Sequence, residues 1–393
     1  MPERCEKLKL TDATVRATEG YAAPVSISEH GKKIYCVYDI CVFPDQNLAG
    51  ELFKNEHGKL VTDYTIIGDL AYPIVDGGVA SNDFKKFTFL DDDGSNDFGT
   101  ARLRVFDDQL QVLATRLFTD YWGPGFSFNG GAFSEDGKLI AVTYVNDPIG
   151  PDPMQPIQRS VLHIVRADDL SDVATYEYDG NTGQTTLFFN LDHKQYIALA
   201  STGGVYNAQN PDSQAPAILS ILKLKHGNLT VVDQINLPQS FTFDIRKDGD
   251  SETILVTTSR ANVGDGPIYQ VTPQDSFIPN DGDEYRIYKF HHKLHKVCTK
   301  NLDLSCNGVL YPKDNCVALQ KSILSDVPSF VELVHTDKHY CLKHDSSVAV
   351  PVPRRFIGKF SENGKWFVVT GAHNNFANEE PQDLNNVLLF KVD

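Results

Sequence analysis

The side chains best suited to acid–base chemistry in this sequence are a histidine and an arginine close to its end. His373 follows the apolar segment KWFVVTG, and histidine titrates near neutral pH, as a general acid or base must. Arg355 ends the segment VPVPRR, and a guanidinium can hold a carboxylate or a developing enolate through two hydrogen bonds. These two residues are the candidates for catalysis. The alternatives are a hydrogen-bonded loop histidine and an arginine paired with a nearby aspartate.

The loops that contain or neighbour these candidates are rich in aromatic and amide groups rather than in charged ones. Such a lining suits an apolar or aromatic small molecule that is held by a few directional polar groups. The candidate substrate-binding residues are Trp122, Phe126, Tyr206, Arg260, Tyr269, Asn374 and Phe376.

The elements that must position these loops are short hairpins that recur along the chain. Seven copies occur, among them GGAFSEDGKLIAVTYVND from Gly130 and FIGKFSENGKWFVVTG from Phe356. In each copy a polar turn joins two strand-like segments, and two further alternating segments follow. Four antiparallel strands in each of seven repeats predict an all-β fold, a seven-bladed β-propeller in a single domain.

The last repeat is one strand short, and the N-terminal segment KLKLTDATVRA can supply that strand. Pairing of residues 7–17 with the last repeat would close the ring and cover two edge strands that otherwise invite aggregation. The expected blade boundaries, in order, are 24–69, 77–118, 130–179, 185–237, 241–303, 307–345 and 356–393.

The hairpins FSEDGKLIAVTY and FSENGKWFVVTG resemble the inner hairpins of lactonase-like, YVTN-type seven-bladed propellers. The resemblance covers nearly the whole chain and rests on turns in which Asp, Asn and Gly tolerate the left-handed conformation. It implies a fold shared by sugar-lactone hydrolases, muconate cyclases and non-enzymatic binding propellers, without a specific catalytic motif. The WD dipeptide of another large propeller class is absent from the sequence, which argues against a typical WD40 scaffold.

The connections between second and third strands are long in five repeats, whereas the opposite hairpin turns are short. In a propeller these connections emerge on the same face as the blade-to-blade loops. Long loops without regular structure are uncommon unless they are functional or disordered, so this face is the expected binding surface. The five loops are 92–100, 148–159, 202–216, 260–283 and 372–385.

The candidate metal ligands do not form a complete ligand pattern. The histidines near 291–295 and 335–344 fall in outer hairpins, whose side chains alternate between faces, and four cysteines between 298 and 341 contain no CxxC pair. The segment Asp91–Asp97 has oxygen ligands at alternating positions but lacks the terminal Glu of an EF-hand. We therefore expect no cofactor, with calcium at Asp91–Asp97 as the alternative.

The overall composition narrows the classes of partner. A formal charge of -16 repels phosphate backbones, so nucleic acid is not an expected partner. The N-terminus resembles no signal peptide and no 18-residue apolar run occurs, so we expect no membrane association and a cytoplasmic location. Seven cysteines, an odd number, favour thiols in a reducing compartment over a disulfide framework.

Two functional hypotheses fit these observations. The first is a cofactor-independent enzyme, an isomerase, cyclase or lactone hydrolase, that orients an apolar, aromatic or carboxylated substrate over the central channel. The second is a non-catalytic propeller whose acidic face docks a basic protein partner. The aromatic loops favour the first hypothesis, and the net charge favours the second.

Overall fold

The computed structural model describes residues 8–17, 21–39, 48–67, 76–92, 100–120, 131–147, 159–179, 183–201, 217–237, 241–247, 254–260, 283–302, 306–313, 315–321, 330–337, 341–346, 350–351, 356–371 and 386–393. Every regular element among these residues is a β-strand. Within the same ranges no helix is long and apolar enough to cross a membrane.

The strands follow one another in chain order as consecutive antiparallel groups. The first strand is β1 (Leu10–Ala17). Sheet 1 contains β2 (Tyr21–Ile27), β3 (Lys33–Asp39), β4 (Leu48–Glu56) and β5 (Lys59–Ile67). Sheet 2 contains β6 (Asp76–Ala80), β7 (Phe87–Asp92), β8 (Ala101–Phe106) and β9 (Val112–Phe118). Sheet 3 contains β10 (Gly131–Phe133), β11 (Leu139–Asp147), β12 (Arg159–Arg166) and β13 (Asp172–Asp179).

The second half of the chain continues in the same way. Sheet 4 contains β14 (Gly183–Leu191), β15 (Lys194–Ser201), β16 (Ala217–Lys225) and β17 (Asn228–Leu237). Sheet 5 contains β18 (Phe241–Lys247), β19 (Ile254–Arg260), β20 (Asp283–His291) and β21 (Lys293–Leu302). Sheet 6 contains β22 (Cys306–Leu310), β23 (Cys316–Lys321), β24 (Phe330–Thr336), β25 (Leu342–Ser346) and β26 (Val350–Pro351). Sheet 7 contains β27 (Phe356–Phe360), β28 (Trp366–Gly371), β29 (Asn386–Val392) and β1.

The sheets are arranged as a β-propeller. First strands of successive sheets pack side by side, from β2 through β6, β10, β14, β18, β22 and β27, and β27 packs against β2 again. The prediction of an all-β propeller is confirmed. Among the described residues six sheets have four strands, and in sheet 6 the edge of β24 opposite β23 pairs with β25 at Val334 and Thr336 and with β26 at Phe330 and Val331. The fourth position of sheet 6 is therefore occupied by two short strands, β25 and β26.

Sheet 7 joins the beginning of the chain to its end. Strand β1 pairs antiparallel with β29, from Leu10 opposite Val392 to Ala17 opposite Asn386. The backbone amide of Lys9 donates to the Asp393 carbonyl at 2.8 Å, and the amide of Asp393 donates back at 3.0 Å. The edge of β29 is therefore covered by the segment for which the sequence predicted this position.

A serine explains the recurring turn between first and second strands. Ser134 Oγ accepts hydrogen bonds from the Lys138 and Leu139 amides at 3.2 and 2.9 Å, and it donates to Asp136 Oδ1 at 2.7 Å. Gly137 has φ of +67°, a conformation that glycine adopts without steric cost. Ser81 and Ser361 form equivalent turns, so the FSEDGK pattern encodes the turn geometry rather than a binding site.

The core lies between the sheets and is built from the alternation of strand residues. Third strands are covered on both faces, so β12 is buried at every position except its two ends. Fourth strands are half exposed, and β13 alternates between buried Ala174 and Tyr178 and exposed Thr175 and Glu177. The polar side of each outer strand therefore faces solvent.

Each fourth strand of sheets 1–5 carries a β-bulge. The ladder to the third strand shifts by one residue, and the extra residue is left without a partner in the pairing. A bulge increases local twist and turns an edge strand away from flat pairing with another chain. The five bulged residues are Asp63, Leu113, Val173, Val232 and Val297.

The expectation that all cysteines are thiols is wrong. Cys298 of β21 and Cys341, just before β25, form a disulfide bond between sheets 5 and 6, and Cys316 is also disulfide-bonded. Cys36 is a free, buried thiol. The sequence did not indicate this bond, because its two cysteines belong to different repeats and nothing in the sequence shows that they lie close together.

Candidate functional site

The residues predicted for catalysis and substrate binding fall largely in connections that the structure does not describe. Arg260 is the last residue of β19, where its backbone pairs with Glu284 of β20. Asp91 and Asp92, the start of the calcium candidate, end β7. The other predicted residues lie outside the described residues, and they are Trp122, Phe126, Tyr206, Tyr269, Arg355, His373, Asn374, Phe376 and Asp93–Asp97.

A network of polar side chains joins sheets 2 and 3 at their outer strands. The Tyr144 hydroxyl of β11 donates to Asp120 Oδ1 at 2.7 Å and lies 3.0 Å from His163 Nε2. His163 Nδ1 lies 3.5 Å from Asp172 Oδ1, and Arg116 of β9 forms an ion pair with the same carboxylate at 2.8 Å. Since the tyrosine has one hydrogen and gives it to Asp120, His163 Nε2 must donate to the tyrosine oxygen.

Burial and charge set the protonation of this network. Desolvation lowers the pKa of His163, although the carboxylates of Asp120 and Asp172 act in the opposite direction. The hydrogen bond from Arg116 lowers the pKa of Asp172. Desolvation, followed by the hydrogen bond to Asp120, raises the pKa of Tyr144. The network therefore contains neutral histidine, neutral tyrosine and a paired carboxylate, which is an arrangement for holding two sheets together.

A second cluster of titratable groups lies where the first strands of sheets 5, 6 and 7 meet. Asp244 Oδ2 of β18 accepts a hydrogen bond from the Leu310 amide of β22 at 2.9 Å. Arg246 donates to the Leu310 carbonyl and to Glu362 Oε1, both at 3.0 Å. Lys359 of β27 lies close enough to Asp244 for their charges to interact. These contacts connect three successive innermost strands.

Desolvation shifts the pKa values of Asp244 and Lys359 in the directions that favour their neutral forms. It raises the pKa of Asp244, against the opposing charge of Arg246, and it lowers the pKa of Lys359, against the opposing charge of Asp244. Perturbed pairs of this kind occur at catalytic sites and also in structural ion-pair networks. Here Asp244 and Arg246 both form hydrogen bonds with the backbone of Leu310 in the next sheet, which favours the structural role.

Third strands carry a further set of polar residues that the sequence analysis missed. Each of the third strands of sheets 1–6 has a charged, imidazole or hydroxyl side chain that is at most 9% exposed. Arg104, for example, lies over the rings of Phe89 and Phe106, at 4.8 and 5.6 Å from their centroids. A single polar residue inside an apolar segment, as in LRVF, was the available signal. The set is Glu51, Arg104, His163, Ser220, Arg286 and Glu332.

The histidine clusters are divided between surface and core. His291, His292 and His295 are exposed on the outer hairpin of sheet 5, whereas His335 of β24 is buried. In the described part of the chain, no group of three or more His, Cys, Asp or Glu side chains is placed to hold a metal ion.

Acidic pairs occupy two neighbouring outer turns of sheets 2 and 3. Asp107 Oδ1 accepts hydrogen bonds from the Gln109 and Gln111 amides, both at 2.9 Å, and the next residue, Asp108, is exposed. Asp168 forms an ion pair with Lys86 at 2.5 Å. Asp169 is exposed, and its hydrogen bonds from Ser171 lower the pKa of its carboxyl. These turns hold carboxylates on the short-turn side of the propeller.

Comparison with known proteins identifies the architecture only. No family model and no curated protein matches the sequence. Among solved structures, the chain is similar to U3-55K (TM-score 0.61, 12% identity, covering 97% of this chain and 98% of that chain). It is similar to the RRP9 WD40 repeats (TM-score 0.61, 12% identity, covering 98% and 100%). It is also similar to the Myceliophteria thermophila Cps50 (Swd1) β-propeller domain (TM-score 0.55, 8% identity, covering 98% and 100%).

These similarities correct the family resemblance drawn from the sequence. The similar structures include WD40 repeats rather than lactonase-like propellers, so the resemblance to YVTN-type propellers is not supported. At 12% identity or less, the likeness shows the β-propeller fold and nothing finer.

The prediction of a cofactor-independent small-molecule enzyme is corrected by the same comparison. Its basis was the aromatic lining of the long loops, and the similar structures, among them the RRP9 WD40 repeats, favour the alternative of a binding propeller. A small-molecule substrate has no support. In the described residues the two titratable clusters are engaged in contacts between sheets, which agrees with the alternative of a protein-binding propeller.

Proposed function

We propose that the protein is a non-catalytic β-propeller that binds a basic protein partner through its acidic surface. The proposal rests on the net negative charge of the molecule and on the position of the acidic outer turns. The chain has a formal charge of -16, and the outer turns Asp107–Asp108 and Asp168–Asp169 hold carboxylates at one part of the surface. A field of this sign raises the association rate of a basic partner and repels acidic ones.

The rigidity of the ring supports the same proposal. The ring is closed by β1, Arg116–Asp172 connects the adjacent sheets 2 and 3, Arg246–Glu362 connects sheets 5 and 7, and the innermost strands pack in succession. A scaffold of this kind holds surface side chains in fixed positions, so a partner loses less entropy on binding than it would with a flexible surface.

Affinity capture followed by reconstitution tests the proposal. The purified propeller, immobilised, is exposed to extracts at low salt and at about 0.5 M salt, where surface charges are screened. Each captured protein is then purified and titrated by calorimetry. We expect a saturable complex with a basic protein that weakens as salt rises.

Charge variants distinguish specific docking from general adhesion. Asp108 and Glu177 are both exposed, so the pair of substitutions Asp108→Lys and Glu177→Lys is expected to weaken the complex more than Asp108→Asn with Glu177→Gln. Binding that is indifferent to salt and to both double variants, or a partner that is itself acidic, contradicts the proposal.

A further inference from the structure

The outer strand of sheet 2 differs from the other outer strands in what it exposes. Val112, Leu113 and Leu117 of β9 are 53%, 52% and 53% exposed. On β13 and β17 the residue just before the final buried position is Glu177 or Asn236, whereas on β9 it is Leu117. An apolar side chain therefore stands on β9 where the two comparable strands carry polar ones.

The two sides of β9 have different surroundings. Ala114, Arg116 and Phe118 face sheet 3, where Arg116 pairs with Asp172 and Phe118 packs 5.1 Å from the Tyr144 ring. Leu113, Thr115 and Leu117 alternate with them and point to the opposite side, where all three are exposed. Contacts on the side that faces sheet 3 hold β9 in place. Among the described residues, no element covers the apolar side.

Carboxylates lie at one end of this apolar side, where Asp107 and Asp108 precede β9. Asp120 and Asp169 lie on the covered side, because Asp120 accepts a hydrogen bond from Tyr144 of sheet 3 and Asp169 belongs to the turn whose Leu170 carbonyl accepts one from Arg116. Of the cations described nearby, Lys86 and Arg116 are paired with Asp168 and Asp172. Arg166 interacts with Asp169, and Arg102, opposite Leu117 on β8, already interacts within the protein. We call the following set the β9 patch: Val112, Leu113 and Leu117, with the carboxylates Asp107 and Asp108.

The geometry points to the β9 patch as the docking site for a short extended segment of a partner protein, with apolar residues that contact Leu113 and Leu117 and with Lys or Arg near the end that meets Asp107 and Asp108. This inference rests on the proposed function and names the site and the chemistry of the partner. The seven residues of β9 span roughly 23 Å, which an extended segment of about seven residues matches. Apolar contact supplies affinity, and the carboxylates at one end select basic residues.

The same features argue against two other modes of contact. The bulge at Leu113 interrupts the edge of β9, so recognition by side chains is favoured over continuous strand addition. A second copy of the chain carries the same charge of -16, so self-association through an acidic patch is opposed by repulsion.

Peptide selection tests this inference directly. The probe is a phage-displayed library of random peptides of about 16 residues, selected on the intact propeller at low salt. We expect the enriched peptides to combine apolar residues with Lys or Arg towards one end. Fluorescein-labelled copies are then titrated by polarisation against the wild type and two variants.

The variants are matched in chemistry and differ in place. Leu117→Glu introduces the residue type that β13 carries at the same position, so folding is expected to be retained, with a melting temperature within about 2 °C of the wild type. Val232→Glu changes an exposed apolar residue of β17, 42% exposed and outside the patch. Leu117→Glu should weaken peptide binding at least about tenfold, and Val232→Glu by less than about twofold.

Each other outcome overturns the inference in a recognisable way. Basic peptides that bind both variants equally well place docking elsewhere and leave the proposed function standing. Failure to enrich basic peptides contradicts the patch and the proposed function together. A wild-type dimer in sedimentation that Leu117→Glu dissociates makes a second copy the occupant, contrary to the inference.

Discussion

Arg116 on the outer strand of sheet 2 is bound to Asp172 on the outer strand of sheet 3, with Nη1 at 2.8 Å from Oδ1 and Nη2 at 2.8 Å from Oδ2. The same guanidinium lies 4.7 Å from the centre of the Phe118 ring and donates to the Leu170 carbonyl. One side chain therefore joins a carboxylate, a ring and a backbone carbonyl across the junction of two sheets.

Removal of the Asp172 charge should destabilise the protein only where that charge exists. The pKa of Asp172 is lowered, first by the Arg116 hydrogen bond, so the stabilisation is complete above the unfolded value of about 3.9 and is lost as pH falls through the lower folded value. Asp172→Asn should cost at most about 1 kcal/mol at neutral pH, because the carboxylate is half exposed. Urea titrations should show this difference vanishing in acid, and Asp108→Asn, at an exposed turn, should show none.

His163 should make the stability of the protein fall in mild acid. Its pKa is lowered by burial, so the unfolded state binds the proton more readily. The stabilisation is therefore complete above the unfolded value of about 6.5 and is lost as pH falls through the lower folded value. His163→Phe keeps a ring beside Phe118 and Tyr144. Between about pH 7.5 and 5, its free energy of unfolding should fall less steeply than that of the wild type.

The comparison is made by urea titration at each pH, with the other histidines unchanged in both proteins. Equal slopes for wild type and His163→Phe would mean that this imidazole does not control the acid response.

Two glycines with the same backbone conformation should respond differently to alanine. Gly31 and Gly137 both have φ of +67°, but a Cβ on Gly31 would lie 2.2 Å from Trp366 Cδ1, whereas one on Gly137 meets only Ser81 Cβ at 3.9 Å. Gly137→Ala should therefore cost about 1–2 kcal/mol for the backbone alone. Gly31→Ala should cost a further ~1–3 kcal/mol for displacing the indole. Equal losses in chemical denaturation would show that Trp366 moves freely, contrary to this prediction.

Reduction should loosen the junction of sheets 5 and 6. The bond between Cys298 and Cys341 connects residues 43 apart in the chain, and a native disulfide of this span contributes about 2–4 kcal/mol. The double variant Cys298→Ser with Cys341→Ser should melt at a lower temperature than the wild type. Dithiothreitol should lower the melting temperature of the wild type more than that of the variant, which lacks this bond and keeps the bond of Cys316. The same reductant effect in both proteins would exclude a stabilising role for the bond.

The parts of the fold that the sequence predicted are those encoded within a single hairpin or by counting hairpins. Ser134, Asp136 and Gly137 determine a local turn, and the alternation on either side of it determines two strands. The pairing of β1 with β29 followed from the count, since one repeat was a strand short.

The parts that the sequence did not predict depend on which repeats become neighbours. Asp244 and Leu310 are 66 residues apart, and nothing near either residue indicates that the carboxylate will accept the other's amide. The disulfide between sheets 5 and 6 is of the same kind. The predicted binding residues on the long loops, apart from Arg260, lie outside the described residues and stay predictions.

The pairing of β1 with β29 also determines when sheet 7 can form during protein synthesis. Strand β1 leaves the ribosome before every strand of sheets 1–6, yet its partner β29 emerges after them. During synthesis β1 therefore cannot pair with β29 until all other strands have been made. Formation of sheet 7 is the step that closes the ring of sheets. Contacts between such distant segments form slowly, so a pause in translation shortly before residue 386 would prolong the open state.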